Sequence, residues 1–344
     1  MSASHRPVLH PACVSCLIKK QIDRYPAAAP REQVLTYMRR LGQMMAELPD
    51  RTGGPEIMEA ITDIRREIFG EAAAEFEVDY AALKTHFNAL MTGIAAAENL
   101  SHRIEASPDP LRTALGYAMT GNFIDFGAMD SVDEEKLRAL LEESPHRVSP
   151  DLPAYNDLTA DLSTARRLVL LTDNCGEIVM DKQLAETIHR LYPALHITVL
   201  VRGGEVLNDA TMEDAVQVGL DRMEGITVLG NGDRLAGTDL TRISPEARAA
   251  ILGADLIIAK GQGNFETLQG CGLNIYYAFL CKCRFFADRF GVPIYTGMLV
   301  REIRWIAVYR SDKPQTMCAA DGTAGAMRFA TDSRGEMKLP RWGK

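Results

Sequence analysis

The feature that limits the fold most is the alternation of short apolar segments with amphipathic ones from about Arg166 onward. The apolar segments read RRLVLLTDN, HITVLVRGG, GITVLGNG, ADLIIAKGQGN and VPIYTGML. Helix-like segments such as IVMDKQLAETIHRLY and DATMEDAVQVGL separate them. Buried strands that alternate with amphipathic helices form βαβ units. The alternation in this half of the chain therefore predicts an α/β fold with a mostly parallel sheet of five strands.

The first part of the chain has the period of a helix instead. Between Arg31 and Met45, apolar residues recur at spacings of three and four, which indicates helices with one buried face. Two Ser-Pro pairs near residue 150 predict a loop. We therefore predict a helical N-terminal domain at 1–150, an α/β domain at 151–310 and a Gly- and charge-rich C-terminal extension at 311–344 to which no fold is assigned.

Charge and hydropathy indicate whether the protein binds nucleic acid, a membrane or a small molecule. The net charge is −8, which disfavours a non-specific nucleic-acid binder, since such proteins usually carry a basic face. No segment has the roughly 18 consecutive apolar residues of a membrane span, and the first residues lack the apolar core of a signal peptide. We expect a cytoplasmic protein whose partner is a small molecule, with no role for nucleic acid or membrane.

Polar residues follow the first predicted strand, at the carboxyl end where open α/β sheets bind ligands. Asp173 and Asn174 offer a carboxylate and an amide oxygen, which are suitable ligands for hard divalent ions. Gly176 permits a tight turn into a helix whose N-terminus offers free amide N–H groups to a phosphate. Asp173 is equally suited to cap that helix, so this segment alone leaves both roles open.

Two further polar segments follow later strands at the same edge. Asp209 opens the helix after HITVLVRGG and could complete an oxygen site, although a helix cap is the simpler reading of that residue alone. Arg202 in the same segment binds either phosphate or acidic surface residues. In KGQGNFE, Lys260 supplies a cation and Gly263 permits close approach of the backbone to a ligand. The segment has neither the Walker A nor the dinucleotide-binding spacing.

The cysteines leave several interpretations open. Cys13 and Cys16 have the CxxC spacing of half a zinc or redox site, and Cys283 could join them only if the fold brings the segments together. Two reduced thiols at the start of a helix are the simpler alternative. Cys175 lies within the first polar segment, but no histidine is placed beside it, which disfavours cysteine catalysis.

Taken together, these segments resemble the metal-dependent damage-control phosphatases, a family long known only as a domain of unknown function. The resemblance rests on TDNCGEIVMD, VLND, KGQGNFETL and GNFIDFG, and covers roughly residues 8 to 300. The N-terminal CVSC with the following Gln21, and the pair Lys282-Cys283, resemble the cysteine-bearing prokaryotic-type branch. The stretch from Arg301 to Lys344 is longer than the family pattern accounts for.

The resemblance implies a helical N-terminal domain packed on a Rossmann-like αβα domain that binds metal and phosphate. Carried over by motif, the implied metal ligands are Asp173, Asn174 and Asp209. Lys260 and Asn264 fall on the KGxGNFE signature, Lys282 is a candidate phosphate ligand and Glu177 is the acidic residue of the first motif. The implied cofactor is Mg, Mn, Co or Ni.

The expected activity is hydrolysis of small phosphorylated metabolites, such as sugar phosphates or damaged phosphometabolites. Lys260, Lys282 and backbone amides near Gly263 would stabilise charge on the phosphoryl oxygens. Direct attack by water is our hypothesis, because the DxDxT spacing of aspartyl-phosphate phosphatases is absent, although Asp173 as a nucleophile stays open. The alternatives are a nucleotide- or S-adenosylmethionine-binding transferase on the same fold, with Glu205 near the ribose, and a binding module without catalysis.

Overall fold

The computed structural model describes residues 11–22, 24–49, 52–72, 79–123, 134–144 and 153–302, together with four short strands further on. The helices are α1 (Pro11–Gln21), α2 (Arg31–Glu47), α3 (Gly54–Phe69), α4 (Tyr80–Ala97), α5 (Leu100–Glu105), α6 (Pro110–Gly121), α7 (Glu134–Glu143), α8 (Pro153–Thr164), α9 (Glu177–Leu191), α10 (Met212–Gln217), α11 (Pro245–Gly253), α12 (Gly261–Leu268) and α13 (Arg284–Phe290). The strands are β1 (Arg167–Leu171), β2 (His196–Val201), β3 (Ile226–Gly230), β4 (Leu256–Lys260), β5 (Ile275–Leu280), β6 (Gly297–Arg301), β7 (Thr316–Cys318), β8 (Ala324–Ala326), β9 (Ala330–Thr331) and β10 (Met337–Lys338).

One six-stranded sheet organises the molecule, with the strand order β3-β2-β1-β4-β5-β6. All neighbouring strands are parallel except β5 and β6, which are antiparallel. The prediction of an α/β fold with a mostly parallel sheet is confirmed. The strand order changes direction between β1 and β4, and such a point leaves a crevice at the carboxyl ends of the strands.

The sheet is buried on both faces, which explains its continuous apolar strands. In β1, Leu168 and Leu170 belong to one core with α4, α6 and α9, whereas Val169 and Leu171 belong to a second core with α11, α12 and α13. Alternation of side chains along the strand distributes them between these two cores.

The prediction of the last strands was wrong in detail. The segment IYYAFL forms β5, which was overlooked although all six of its residues are buried. In VPIYTGML only the end is extended: Tyr295 has a φ of 69°, in the left-handed region, and β6 begins at Gly297. This strand then runs antiparallel to β5.

The N-terminal helices pack in two groups. Helices α1, α2 and α3 surround a small core of their own that includes Tyr37, Leu41 and Ile61. Helices α4 and α6 instead pack against α9 and share the core of the sheet. The domain boundary near residue 150 stays a prediction, and most of the extension at 311–344 lies outside the described residues. Within the described ranges, no helix is long and apolar enough to cross a membrane.

Candidate active site

Asp173, Asn174 and Asp209 meet at the carboxyl edge of the sheet because β1 and β2 are parallel neighbours. The two following loops are joined by a β-bridge between Asn174 and Asp209. Ala210 N donates to Asp173 O at 2.7 Å, which fixes the loops against each other. The three predicted metal ligands therefore lie in one cluster, and each is at most 7% exposed.

The carboxylate of Asp173 is held by amide donors from two parts of the chain. Its Oδ2 accepts from Asn122 Nδ2 at 2.9 Å and from Asn174 Nδ2 at 2.7 Å. Burial raises the pKa of Asp173 well above its ordinary value, and the nearby carboxylates of Asp209 and Glu177 raise that pKa further. The site concentrates negative charge that a cation could offset.

Gly261 closes the other side of Asp173. Its φ is +79°, and a Cβ built on it would lie 1.9 Å from Asp173 Oδ2. Only glycine fits here without displacing the carboxylate, because the position combines a left-handed backbone with direct contact to Asp173. The N-terminus of α12 therefore abuts the carboxylate.

Arg202, the first residue after β2, pairs with Asp209. Its Nε donates to Asp209 Oδ2 at 2.6 Å, and its Nη1 donates to Gly237 O at 2.7 Å. Its Nη1 also donates to Asn264 Oδ1 at 3.2 Å. The arginine thus links the ends of β2 and β4 with the loop after β3.

Lys260 is fully buried in an ion cluster behind Asp173. Its Nζ donates to Glu177 Oε1 at 2.5 Å, Asp181 Oδ1 at 2.7 Å and Ala118 O at 2.9 Å. Burial alone would lower the pKa of Lys260, but the carboxylates of Asp181 and Glu177 outweigh burial and raise it. All three N–H donors of the ammonium have partners, so Lys260 fixes Glu177 and does not present a free donor to phosphate.

The remaining predicted residues lie on the α12 side of the site. Lys282 is 9% exposed, and its charge lowers the pKa of Asp173. Asn264 is a structural link, since its Nδ2 donates to Thr172 O at 3.1 Å and to Lys260 O at 2.7 Å. Gly263 packs against the loop after β3, where a Cβ would lie 2.2 Å from Ala236 O.

The expectation of free amide N–H groups after β1 was wrong. Cys175 N donates to Asn208 O at 2.7 Å, Gly176 N to Asn88 Oδ1 at 2.6 Å, and Glu177 N to Cys175 O at 2.7 Å. These local acceptors occupy the turn that was expected to bind phosphate. By contrast, the N-terminus of α12 has no side-chain cap.

Comparison with known proteins identifies the family. The model of the damage-control phosphatase ARMT1-like domain matches residues 9–297. The chain belongs to this family. A damage-control phosphatase from Archaeoglobus fulgidus is 34% identical over 193 residues, which are 56% of this chain and 65% of that protein. A damage-control phosphatase from Pyrococcus horikoshii is 33% identical over 183 residues, which are 52% of this chain and 61% of that protein.

The matched segments thus span less than two thirds of these curated relatives. A crystal structure of a DUF89 family protein from Pyrococcus horikoshii has a TM-score of 0.68 and 23% identity, and covers 86% of this chain and 99% of that chain. At this identity the likeness shows a shared fold.

In this damage-control phosphatase domain, the predicted donor set has the chemistry that suits a hard divalent cation, although Asn174 Oδ1 accepts from Asn208 Nδ2 at 3.0 Å and would have to turn to bind one. Asp173 and Asp209 supply carboxylate oxygens and Asn174 an amide oxygen, which are the ligand types that Mg and Mn prefer. Within the described ranges no group of three or more His, Cys, Asp or Glu side chains is arranged to hold a metal. The predicted set consists of two carboxylates and one amide.

Asn122 is a contact of the predicted site to which the sequence alone assigned no role. Its Nδ2 donates to Asp173 Oδ2 and to Glu177 Oε2, the latter at 2.7 Å, while its Oδ1 accepts from Leu280 N at 3.1 Å. The sequence feature that could have pointed to Asn122 is its position in the GNFIDFG segment. Gly121–Phe123 of that segment are described, and 124–127 lie outside the described residues.

The cysteines separate into two environments. Cys175 is buried, and burial raises its pKa far above the ordinary thiol value, which opposes a nucleophilic role. Burial, together with the charges of Glu266, Cys283 and Cys16, raises the pKa of Cys13 to about 12. A second metal or redox site at Cys13, Cys16 and Cys283 stays a prediction.

A cavity of about 1100 Å³ lies between the N-terminal helices and the loops after β2 and β3. Its wall residues in α3 include Glu59 and Arg66, and those after β2 include Arg202 and Glu205. Charged groups of both signs line it, so it suits a polar metabolite.

Proposed function

We propose that this protein is a metal-dependent phosphatase that hydrolyses small phosphorylated metabolites, among them sugar phosphates or damaged phosphometabolites. The observation that carries the proposal is the pair of buried carboxylates, Asp173 and Asp209, beside the uncapped N-terminus of α12. Family membership supports phosphate hydrolysis over the transferase alternative. A divalent ion (Mg, Mn, Co or Ni) would supply Lewis acidity and charge neutralisation at the phosphoryl group.

The residues of the chain would bind and orient the phosphate. The amide groups at the N-terminus of α12 and the ammonium of Lys282 attract phosphoryl oxygens. Gly261 lets that terminus approach Asp173, because any larger residue would place its Cβ against the carboxylate. Asn122 Nδ2 donates to both Asp173 and Glu177, and so fixes the two carboxylates relative to each other.

The reaction itself is a displacement at phosphorus. The oxygen of a water molecule forms a new P–O bond, and the bond to the leaving oxygen breaks with its electron pair. A carboxylate of the segment that follows β1 takes the proton of the water, and the leaving oxygen receives a proton from that carboxyl group through solvent and departs as an alcohol. Lys260, paired with Glu177 and Asp181, keeps the charges behind this segment balanced.

The test is phosphate release from a panel of sugar phosphates and one aryl phosphate. The protein is first treated with a chelator, and Mg, Mn, Co or Ni is then added back separately. We expect turnover to disappear on chelation and to return with at least one metal. Absence of turnover with every metal, despite measured metal binding, would contradict the proposal and favour a binding module.

A further inference from the structure

Arg202 has a buried donor for which the fold itself provides no acceptor. Its side chain is 2% exposed, and Nε and Nη1 are fixed by Asp209, Gly237 and Asn264. Its Nη2 makes no hydrogen bond. Asp173 Oδ1 is 3.5 Å from Nη2, too far for a good hydrogen bond.

Such a donor calls for a ligand, because buried N–H groups in native proteins are nearly always paired. Its position strengthens this reading, since the same guanidinium contacts Asp209 through Nε and lies 3.5 Å from Asp173 through Nη2, and both are predicted metal ligands. The other guanidinium contacts keep the plane of the group fixed, so Nη2 is oriented before any ligand arrives.

The cavity borders the segment that carries Arg202, although Nη2 itself has no exposed surface. Arg202 is one of its wall residues, together with Gly203 and Thr211 next to the site. The volume of about 1100 Å³ is at the upper end of small-molecule pockets, and a phosphate alone would fill little of it. A metabolite could therefore bind here with its phosphate toward Arg202 and its remainder among the polar walls.

We propose that Arg202 is a catalytic residue whose Nη2 donates to a phosphoryl oxygen of the substrate. The inference rests on the proposed phosphatase function and adds a residue to its site. While water forms the new P–O bond and the leaving oxygen departs with the electron pair of the old one, Arg202 stays protonated and stabilises the charge on the phosphoryl oxygens. An arginine is suited to this role because its planar guanidinium binds carboxylate and phosphate oxygens at once.

The experiment compares Arg202→Lys and Arg202→Ala with wild type in metal-saturated phosphate release. We expect kcat to fall by about 100-fold or more in both, as for the loss of one fixed transition-state donor. Added guanidinium ion should restore part of the activity of Arg202→Ala and leave wild type unchanged, which a purely structural role would not produce. Arg40→Ala is the matched control, since Arg40 forms an exposed ion pair with Glu67 and neither residue lines the cavity.

A crystal structure of wild type with metal and orthovanadate provides the measurement that does not depend on the variants folding. Nη2 of Arg202 within hydrogen-bonding distance of a vanadate oxygen would support the inference. Vanadate bound elsewhere, or full activity in Arg202→Lys, would overturn it while leaving the phosphatase proposal in place. An inactive wild type would instead contradict the proposed function, and the vanadate contact would still decide the role of Arg202.

Discussion

Replacing Gly261 with alanine tests whether the position of Asp173 controls activity. The new Cβ would lie 1.9 Å from Asp173 Oδ2, whereas ordinary contact begins at 3.4 Å. The carboxylate or the α12 terminus must therefore move by more than 1 Å, and a misplacement of that size can lower a rate by about 100-fold. That factor corresponds to about 2.7 kcal/mol of lost transition-state stabilisation.

Gly272→Ala is the control that separates this displacement from backbone strain. Gly272 has a φ of +80°, close to the +79° of Gly261, but a Cβ there meets nothing within 4 Å. Both variants should lose about 1–2 kcal/mol of stability, because alanine is strained in the left-handed region. Gly261→Ala should lose more than Gly272→Ala, because only its Cβ meets Asp173.

The assay is metal-saturated kcat at a temperature where circular dichroism shows both variants folded. We expect Gly272→Ala to keep wild-type kcat and Gly261→Ala to lose about 100-fold. Equal kcat values in the two variants would refute the idea that close packing on Asp173 matters for turnover.

Three further changes follow from the buried polar groups. Lys260→Met should lower the free energy of unfolding by about 3–5 kcal/mol in urea titrations, because the carboxylates of Glu177 and Asp181 lose their buried partner. A loss near zero would show that these carboxylates bind protons instead. Burial raises the pKa of Glu266 from 4.5 to about 7, so wild type loses stability as pH rises from 4.5 to 7. Glu266→Gln should therefore raise the melting temperature above pH 7 and have little effect on it near pH 4.5. A parallel pH dependence in variant and wild type would contradict this. Asn88→Leu should lower the free energy of unfolding in urea titrations by about 1–3 kcal/mol, because it leaves the amide N–H of Gly176, before α9, unpaired. An unchanged urea midpoint would exclude that hydrogen bond as a stabilising contact.

Much of the site could be predicted from sequence because parallel strands bring their carboxyl ends to one edge. Asp173 and Asp209 follow consecutive strands, so their proximity follows from the βαβ pattern alone. The mostly parallel sheet follows from the same pattern. Motif similarity was needed to choose metal binding over helix capping for these two residues.

Side-chain partners from distant elements could not be predicted in this way. Asn122 is 51 residues before Asp173 and reaches it only because α6 packs on α9. Lys260 was expected to bind phosphate, but its acceptors on α9 surround it once that helix packs on the sheet. The strand IYYAFL was missed because continuous apolar residues do not by themselves distinguish a strand from a buried helix.

Mn²⁺ binding by equilibrium dialysis tests whether Asp209 belongs to a metal site that turnover requires. Turnover is measured on the same samples of wild type, Asp209→Asn and Asp255→Asn. Asp255 lies just before β4, at the opposite edge of the sheet, where its carboxylate accepts from Arg166 N and Arg167 N at 2.9 Å. We predict that wild type and Asp255→Asn bind Mn²⁺ and release phosphate, while Asp209→Asn loses both. Undiminished Mn²⁺ binding and turnover in Asp209→Asn would contradict a metal-dependent phosphatase site at this edge.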